Sequence, residues 1–108
     1  MDSKTIEAGR QMAMISYFTL IGVIIAYAMN KESKNSFATM HIRQSLGLNL
    51  LLYTIAIFIG FFGGWLVALP FTIFFVVLWA FGFVNALQRD YTPIPLVGDY
   101  FQEWFKSI

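Results

Sequence analysis

Three polar side chains recur every four residues where an apolar segment begins: His41, Ser45 and Asn49, in the stretch MHIRQSLGLNLLLY. Residues four apart share one face of a helix, so these three form a stripe about two turns long, with Gln44 beside it. Two interpretations remain open. The stripe joins helices by hydrogen bonds, or it forms a polar vestibule or proton-sensitive site centred on His41, since histidine titrates near neutral pH.

If the stripe joins helices, it needs polar partners on neighbouring segments. Asn30 and Asn85 are the candidates that the sequence offers. Arg43 points away from the stripe on the helix and can extend its guanidinium to the phosphate headgroups of a membrane.

The sequence offers little for catalysis or metal binding. It contains one histidine and no cysteine, and no Asp or Glu lies inside an apolar segment. A histidine–carboxylate metal site or an acid/base pair of carboxylates therefore has no obvious members. We expect no catalytic residue, no metal and no cofactor, and we expect that the protein is not an enzyme.

The composition predicts a membrane protein. Of 108 residues, 58% are hydrophobic and 12% are charged, and the mean hydropathy is +0.67. A soluble domain of this size cannot bury so much apolar surface. The lipid bilayer is thus the expected partner, whereas a net charge of +1 gives no reason to expect a nucleic acid.

Three predominantly apolar segments approach or exceed the length needed to cross the hydrocarbon core. The predicted transmembrane helices cover about residues 12–29, 42–62 and 66–87, within one membrane domain of residues 1–108. Ser36 is the expected N-cap of the second helix, and Gly63-Gly64 forms the turn before the third. The predicted fold is an all-α integral membrane protein with three transmembrane helices and a C-terminal amphipathic interfacial helix in the tail, about residues 91–108.

Two prolines divide the tail. Pro93 and Pro95 favour an extended segment, and Asp99 then has the capping-box spacing to Gln102. In the helix that follows Gly98, one face is apolar: Tyr100, Phe101, Trp104, Phe105 and Ile108. This face either lies along the bilayer surface or packs on the transmembrane helices, and the two arrangements are compatible.

Small residues spaced by four predict close helix packing. They are Gly22 and Ala26 in the first predicted span, Ala56, Gly60 and Gly64 along the second, and Gly82 and Ala86 in the third.

The topology also predicts a contact between the polar cluster and the tail. The Pro-x-Pro segment has free carbonyls, and His41, Arg43 and Gln44 are the nearest donors. We therefore expect these three side chains to hold the tail against the base of the bundle. With three spans, five Lys and Arg residues lie on the side of the first turn and the tail, against two on the N-terminal side. This count predicts a cytoplasmic C terminus and an external N terminus.

Three stretches give the sequence a family resemblance: AMISYFTLIGVIIAYAMN, FATMHIRQSLGLNLLL and PIPLVGDYFQEWFKSI. In them the chain resembles short bacterial membrane proteins related to the chloroplast inner-envelope import component of the Tic translocon. The plastid members have four spans, whereas three are predicted here. The short N terminus contains acids and does not look like a transit peptide, which favours a bacterial inner membrane.

The resemblance implies a non-enzymatic membrane subunit associated with protein translocation or the assembly of membrane complexes. Its expected partners are other membrane proteins or further copies of itself in a homo-oligomer. The alternative is an oligomeric channel or small-solute transporter, in which copies meet and His41, Ser45 and Asn49 line the pore. A third hypothesis is a lipid-surface sensor driven by the tail.

Overall fold

The computed structural model describes all 108 residues. It is entirely helical, as the sequence predicts, with five helices: α1 (Ser3–Ser16), α2 (Leu20–Ser33), α3 (Ser36–Phe62), α4 (Trp65–Leu87) and α5 (Gly98–Trp104).

The two longest helices, α3 and α4, form a hairpin around the Gly63-Gly64 turn. Their most apolar windows have mean hydropathies of 2.0 and 2.4, and only 22% and 11% of those residues are buried inside the protein. The apolar side chains therefore face outward, unlike those of a core helix in a soluble protein. These are the two helices that are long and apolar enough to cross a membrane.

The prediction of a third span, at about residues 12–29, is wrong. The chain leaves the helix at Tyr17 and re-enters one at Leu20, so two 14-residue helices replace one long one. Thr19 is the N-cap of α2 and accepts a hydrogen bond from the N–H of Gly22. A β carbon on Gly22 would lie 2.3 Å from the Ile15 carbonyl oxygen, so glycine allows the first turn of α2 to pack on the last turn of α1.

Both ends of the chain lie at the same end of the molecule. Arg10 Nε donates to the carbonyl of Leu87 at 3.0 Å, and Glu7 forms an ion pair with Arg89. These contacts set the start of α1 beside the end of α4, which contradicts the expected placement of the N and C termini on opposite sides. The physical reason is the break at Tyr17, which returns the chain to the side from which it came.

The tail helix is shorter than predicted. It covers only Gly98–Trp104, and Val97 is its N-cap without a side-chain hydrogen bond, so the expected Asp99 capping box is absent. Gln102 instead donates to the Met40 carbonyl at 2.7 Å. At the start of α3, Asn35 rather than Ser36 is the N-cap and accepts from the Ala38 N–H.

The apolar face of the tail divides between two environments. Phe101 is buried, and its ring lies over Gly47, where a β carbon would come within 2.3 Å of the ring. Tyr100 and Trp104 remain 59% and 65% exposed. One part of this face thus packs on the bundle, and the other part is free to meet lipid.

The small residues also divide into two groups. Gly22, Ala26, Gly82 and Ala86 are buried at helix contacts, whereas Ala56, Gly60 and Gly64 are exposed. A β carbon on Gly60 or Gly64 would meet nothing within 4 Å. Gly60, on α3, therefore packs against no other helix of this chain.

We predict that Gly82→Ala destabilises the protein. The added β carbon would lie 2.7 Å from a ring carbon of Tyr17, and this ring is buried and fixed by hydrogen bonds. Overpacking of this kind costs about 1–3 kcal/mol, and unfolding in detergent micelles measures the loss. Gly60→Ala is the matched control and should be neutral or slightly stabilising. Equal stability of the two variants would show that the Tyr17–Gly82 contact is unimportant.

Candidate functional site

The polar residues of the opening stretch of α3 meet two other parts of the chain in one buried cluster. His41 and Gln44 extend from α3 to Tyr17, at the end of α1, and to the tail at Asp90 and Ile94. His41 and Gln44 are fully buried, and Tyr17 and Ile94 are only 2% exposed. We call these hydrogen-bonded groups of Tyr17, His41, Gln44, Asp90 and Ile94 the tail network.

The direction of each bond in the tail network follows from its chemistry. The Asp90 carbonyl can only accept, so His41 Nε2 donates to it at 2.9 Å. In neutral histidine Nδ1 then accepts, and the Tyr17 hydroxyl donates to it at 2.6 Å. Gln44 Nε2 donates to the same hydroxyl oxygen at 3.0 Å, and Gln44 Oε1 accepts from the Ile94 N–H at 2.6 Å. Donors and acceptors match along the whole path without a net charge.

A pair of serines joins α1 to α3 beside this network. Ser16 donates to the Ala13 carbonyl at 2.7 Å, so the hydroxyl of Ser45 is the donor in the 2.8 Å Ser16–Ser45 contact. Asn49 donates to the Ser45 carbonyl on its own helix. The stripe of the sequence thus lies against α1, and neither Asn30 nor Asn85 is its partner.

The two asparagines instead hold nearby turns. Asn30 bonds Thr39 and the backbone N–H of Asn35, and Asn85 donates to the Thr92 carbonyl at 3.2 Å. Their role is to fix the chain where α3 begins and where α4 ends.

Arg43 contacts the tail farther along the chain. Nη2 donates to the Lys106 carbonyl at 2.8 Å, and Nη1 is 3.5 Å from Gln102 Oε1. All three side chains expected to contact the tail therefore do so, but the groups they bind differ from those expected. The Pro93 and Pro95 carbonyls are not among the partners, and Gln44 accepts from the tail instead of donating to it.

The other tail residues singled out in the sequence shape this contact. Pro93 packs on Gly98, where a β carbon would also lie 2.9 Å from Gln44 Oε1. Pro95 and Trp104 are exposed. Gly98 thus allows the tail to approach the glutamine closely.

The helix break has a polar partner that sequence reasoning missed. Trp79 Nε1, on α4, donates to the Tyr17 carbonyl at 2.6 Å and satisfies a group that the broken helix leaves unpaired. Neither Tyr17 nor Ser16 was expected in the site, because both look like ordinary members of an apolar run. The signal for the helix break in the sequence was the stretch S-Y-F-T, in which Thr19 can cap a new helix.

Charged groups surround this end of the chain. The Arg89 hydrogen bond lowers the pKa of Glu7, and hydrogen bonds from Thr92 lower the pKa of Asp90. Both carboxylates are exposed, so water screens these interactions. The Asp90 side chain fixes the turn whose carbonyl binds His41.

The burial of the stripe contradicts the pore lining expected in the channel alternative. His41 and Ser45 are 0% and 1% exposed, and their polar atoms bond within one chain. A pore between copies would need these atoms on the outer surface. They hold the N-terminal hairpin, formed by α1 and α2, and the tail instead.

We predict that Gln44→Leu loosens the tail. The change leaves the buried Ile94 N–H without an acceptor and removes one donor from Tyr17, at a cost of about 1–3 kcal/mol per unpaired group. Hydrogen exchange of residues 88–108 should become at least about fivefold faster, since 1.4 kcal/mol is a factor of ten and about 1 kcal/mol is a factor of five. Asn49→Leu is the control on the same helix, because Asn49 bonds no part of the tail. Unchanged exchange in Gln44→Leu would mean that other contacts hold the tail.

Comparison with known proteins assigns the chain to a family. No curated protein and no solved structure matches it. One family model does match, over residues 8–101, and it describes the magnetosome magnetite crystal formation protein family, MamF/MmsF. The match includes both apolar helices and the tail network. It overturns the expectation of a Tic-type import component, and with it the proposed role in protein translocation, because the apolar stretches that suggested that relationship have little specificity. The chain is a member of the magnetosome magnetite crystal formation protein family.

Proposed function

We propose that the protein is a non-enzymatic subunit of the magnetosome membrane that contributes to magnetite crystal formation. The observation that carries this proposal is the family match over residues 8–101. The exposed apolar surfaces of α3 and α4 support the membrane location. Both His41 nitrogens are occupied by internal hydrogen bonds, which fits a structural role better than a chemical one.

The proposed topology has two membrane-spanning helices and a hairpin of two shorter helices that does not cross the bilayer. Helices α3 and α4 cross the bilayer, while α1 and α2 enter from one side and return to it. All seven Lys and Arg residues lie in residues 4–10, 31–43 and 89–106, near the end where the termini meet, and residues 44–88 carry no charge. The positive-inside rule then favours a cytoplasmic location for both termini.

The opposite end of the hairpin is uncharged and aromatic. Phe61, Phe62 and Trp65 are each more than 70% exposed around the Gly63-Gly64 turn. This end lacks the carboxylates that bind hard metal ions. We therefore favour an indirect action on the crystal, through the membrane around it, over direct iron binding at this turn.

The partners in this proposal are other membrane proteins or further copies of the chain. Gly60 is exposed on α3, and a β carbon there would meet no atom within 4 Å, so no helix of the same chain covers it. Small residues let two helix backbones approach closely in a bilayer. The exposed Tyr100 and Trp104 would hold the tail at the headgroup level.

Complementation tests both parts of the proposal. A magnetite-forming bacterium that lacks its own member of the family should regain crystal size, measured by electron microscopy, when it expresses this chain. Gly60→Leu should restore size less well because it blocks close approach of a partner helix. Phe58→Leu, on the opposite face of α3, should behave like the unchanged protein.

The outcomes separate the two parts. No recovery with the unchanged chain, despite its presence in the membrane, would contradict the function. Full recovery with Gly60→Leu would keep the function and reject the Gly60 face as the partner surface.

A further inference from the structure

A polar cavity lies where the turn between α2 and α3 meets the tail. Its volume is about 400 Å³, and its walls include Lys34, Ser36, Thr39, Arg43 and Gln102. Of the remaining two lining residues, Met40 is apolar, and Met1 carries the N-terminal ammonium next to its apolar side chain. No carboxylate lines it, so its two side-chain charges are both positive.

Neither cation in this cavity is neutralised by an acid. The ion pairs of the protein join Glu7 to Arg89 and Glu103 to Lys106, so Lys34 and Arg43 have no carboxylate partner. Lys34 lies at the left-handed C-cap of α2, with φ 47°, and its side chain is exposed. The polar lining thus has an excess of positive charge.

Arg43 has an unused donor in this region. Its two terminal nitrogens contact the tail, but Nε is buried and has no hydrogen-bond partner. A buried N–H without an acceptor is unfavourable, and such groups are rare in native proteins. Together with the hydroxyls of Ser36 and Thr39, the site offers several donors to an anion and few acceptors to a cation.

The depth of the cavity points to the source of the anion. The lining residues of α3 fall within its first two turns, before the uncharged stretch from Gln44 onward. The tail helix meets this part of α3 through Gln102, which lines the cavity and donates to the Met40 carbonyl. Its aromatic side chains Tyr100 and Trp104 are exposed. In a bilayer this level is the headgroup layer, where phosphate is the abundant anion.

We propose that this cavity binds the phosphate group of an anionic phospholipid, with Lys34 and Arg43 as its cationic ligands. The inference does not depend on the role in crystal formation. It requires only that α3 enters the bilayer from this end.

Native mass spectrometry of the full chain tests the proposal. Protein released from nanodiscs with equal phosphatidylglycerol and phosphatidylethanolamine should retain phosphatidylglycerol. Lys34→Gln should reduce the retained lipid about fivefold, the effect expected for one cation at a membrane surface. Lys31→Gln is the matched control, because it removes the same charge from the last turn of α2, three residues before Lys34, and Lys31 does not line the cavity.

Equal losses in Lys34→Gln and Lys31→Gln would overturn the proposal, since a general surface field would then explain the binding. A second arm uses inorganic phosphate, which should compete with the lipid only at far higher concentration. Inorganic phosphate that binds as tightly as the lipid would overturn the lipid assignment. An unchanged circular dichroism spectrum of Lys34→Gln checks that the variant is folded.

Discussion

The tail network is the constraint on which the arrangement of the chain depends. The Tyr17 hydroxyl, at the end of α1, bonds the side chains of His41 and Gln44 on α3, and these two side chains bind the tail backbone at Asp90 and Ile94. Buried polar groups of this kind stabilise a fold only when every member has a partner. Here each donor meets an acceptor, so the N-terminal hairpin and the tail are held by the same few bonds.

This constraint explains why the first apolar run is not one straight helix. In a continuous helix from Met12 to Met29, Tyr17 would be a mid-helix residue. Its carbonyl would then bond within the helix and would not accept the hydrogen bond from Trp79. The break costs backbone hydrogen bonds, and unpaired groups are expensive in hydrocarbon. Trp79 and Thr19 satisfy the groups at the break, and Gly22 and Gly82 provide the space for close packing around it.

Part of the fold and of the site could be predicted from the sequence, for identifiable reasons. Hydropathy locates α3 and α4 well, because length and the absence of charge are the properties that define a membrane-spanning helix. The predicted start of α4, at Leu66, is one residue late. The same measure cannot detect a break whose residues are themselves apolar or hydroxylated, such as Ser16 to Thr19. The contact between the polar cluster and the tail could be predicted because the two lie at the same depth in the membrane. Which donor meets which acceptor could not be predicted, since an amide side chain such as Gln44 can donate or accept, and tertiary structure decides which.

The proposed topology, with two spans and both termini on one side of the membrane, is best tested by site-directed labelling. The chain contains no cysteine, so Ser3→Cys, Ser107→Cys and Gly64→Cys each introduce a single reporter. Sealed membrane vesicles of known orientation are treated with a maleimide that cannot cross the bilayer. We expect label at positions 3 and 107 from the same side and at position 64 only from the other. Label at position 3 from the side of position 64 would mean that the first apolar run crosses the membrane, and it would contradict this account.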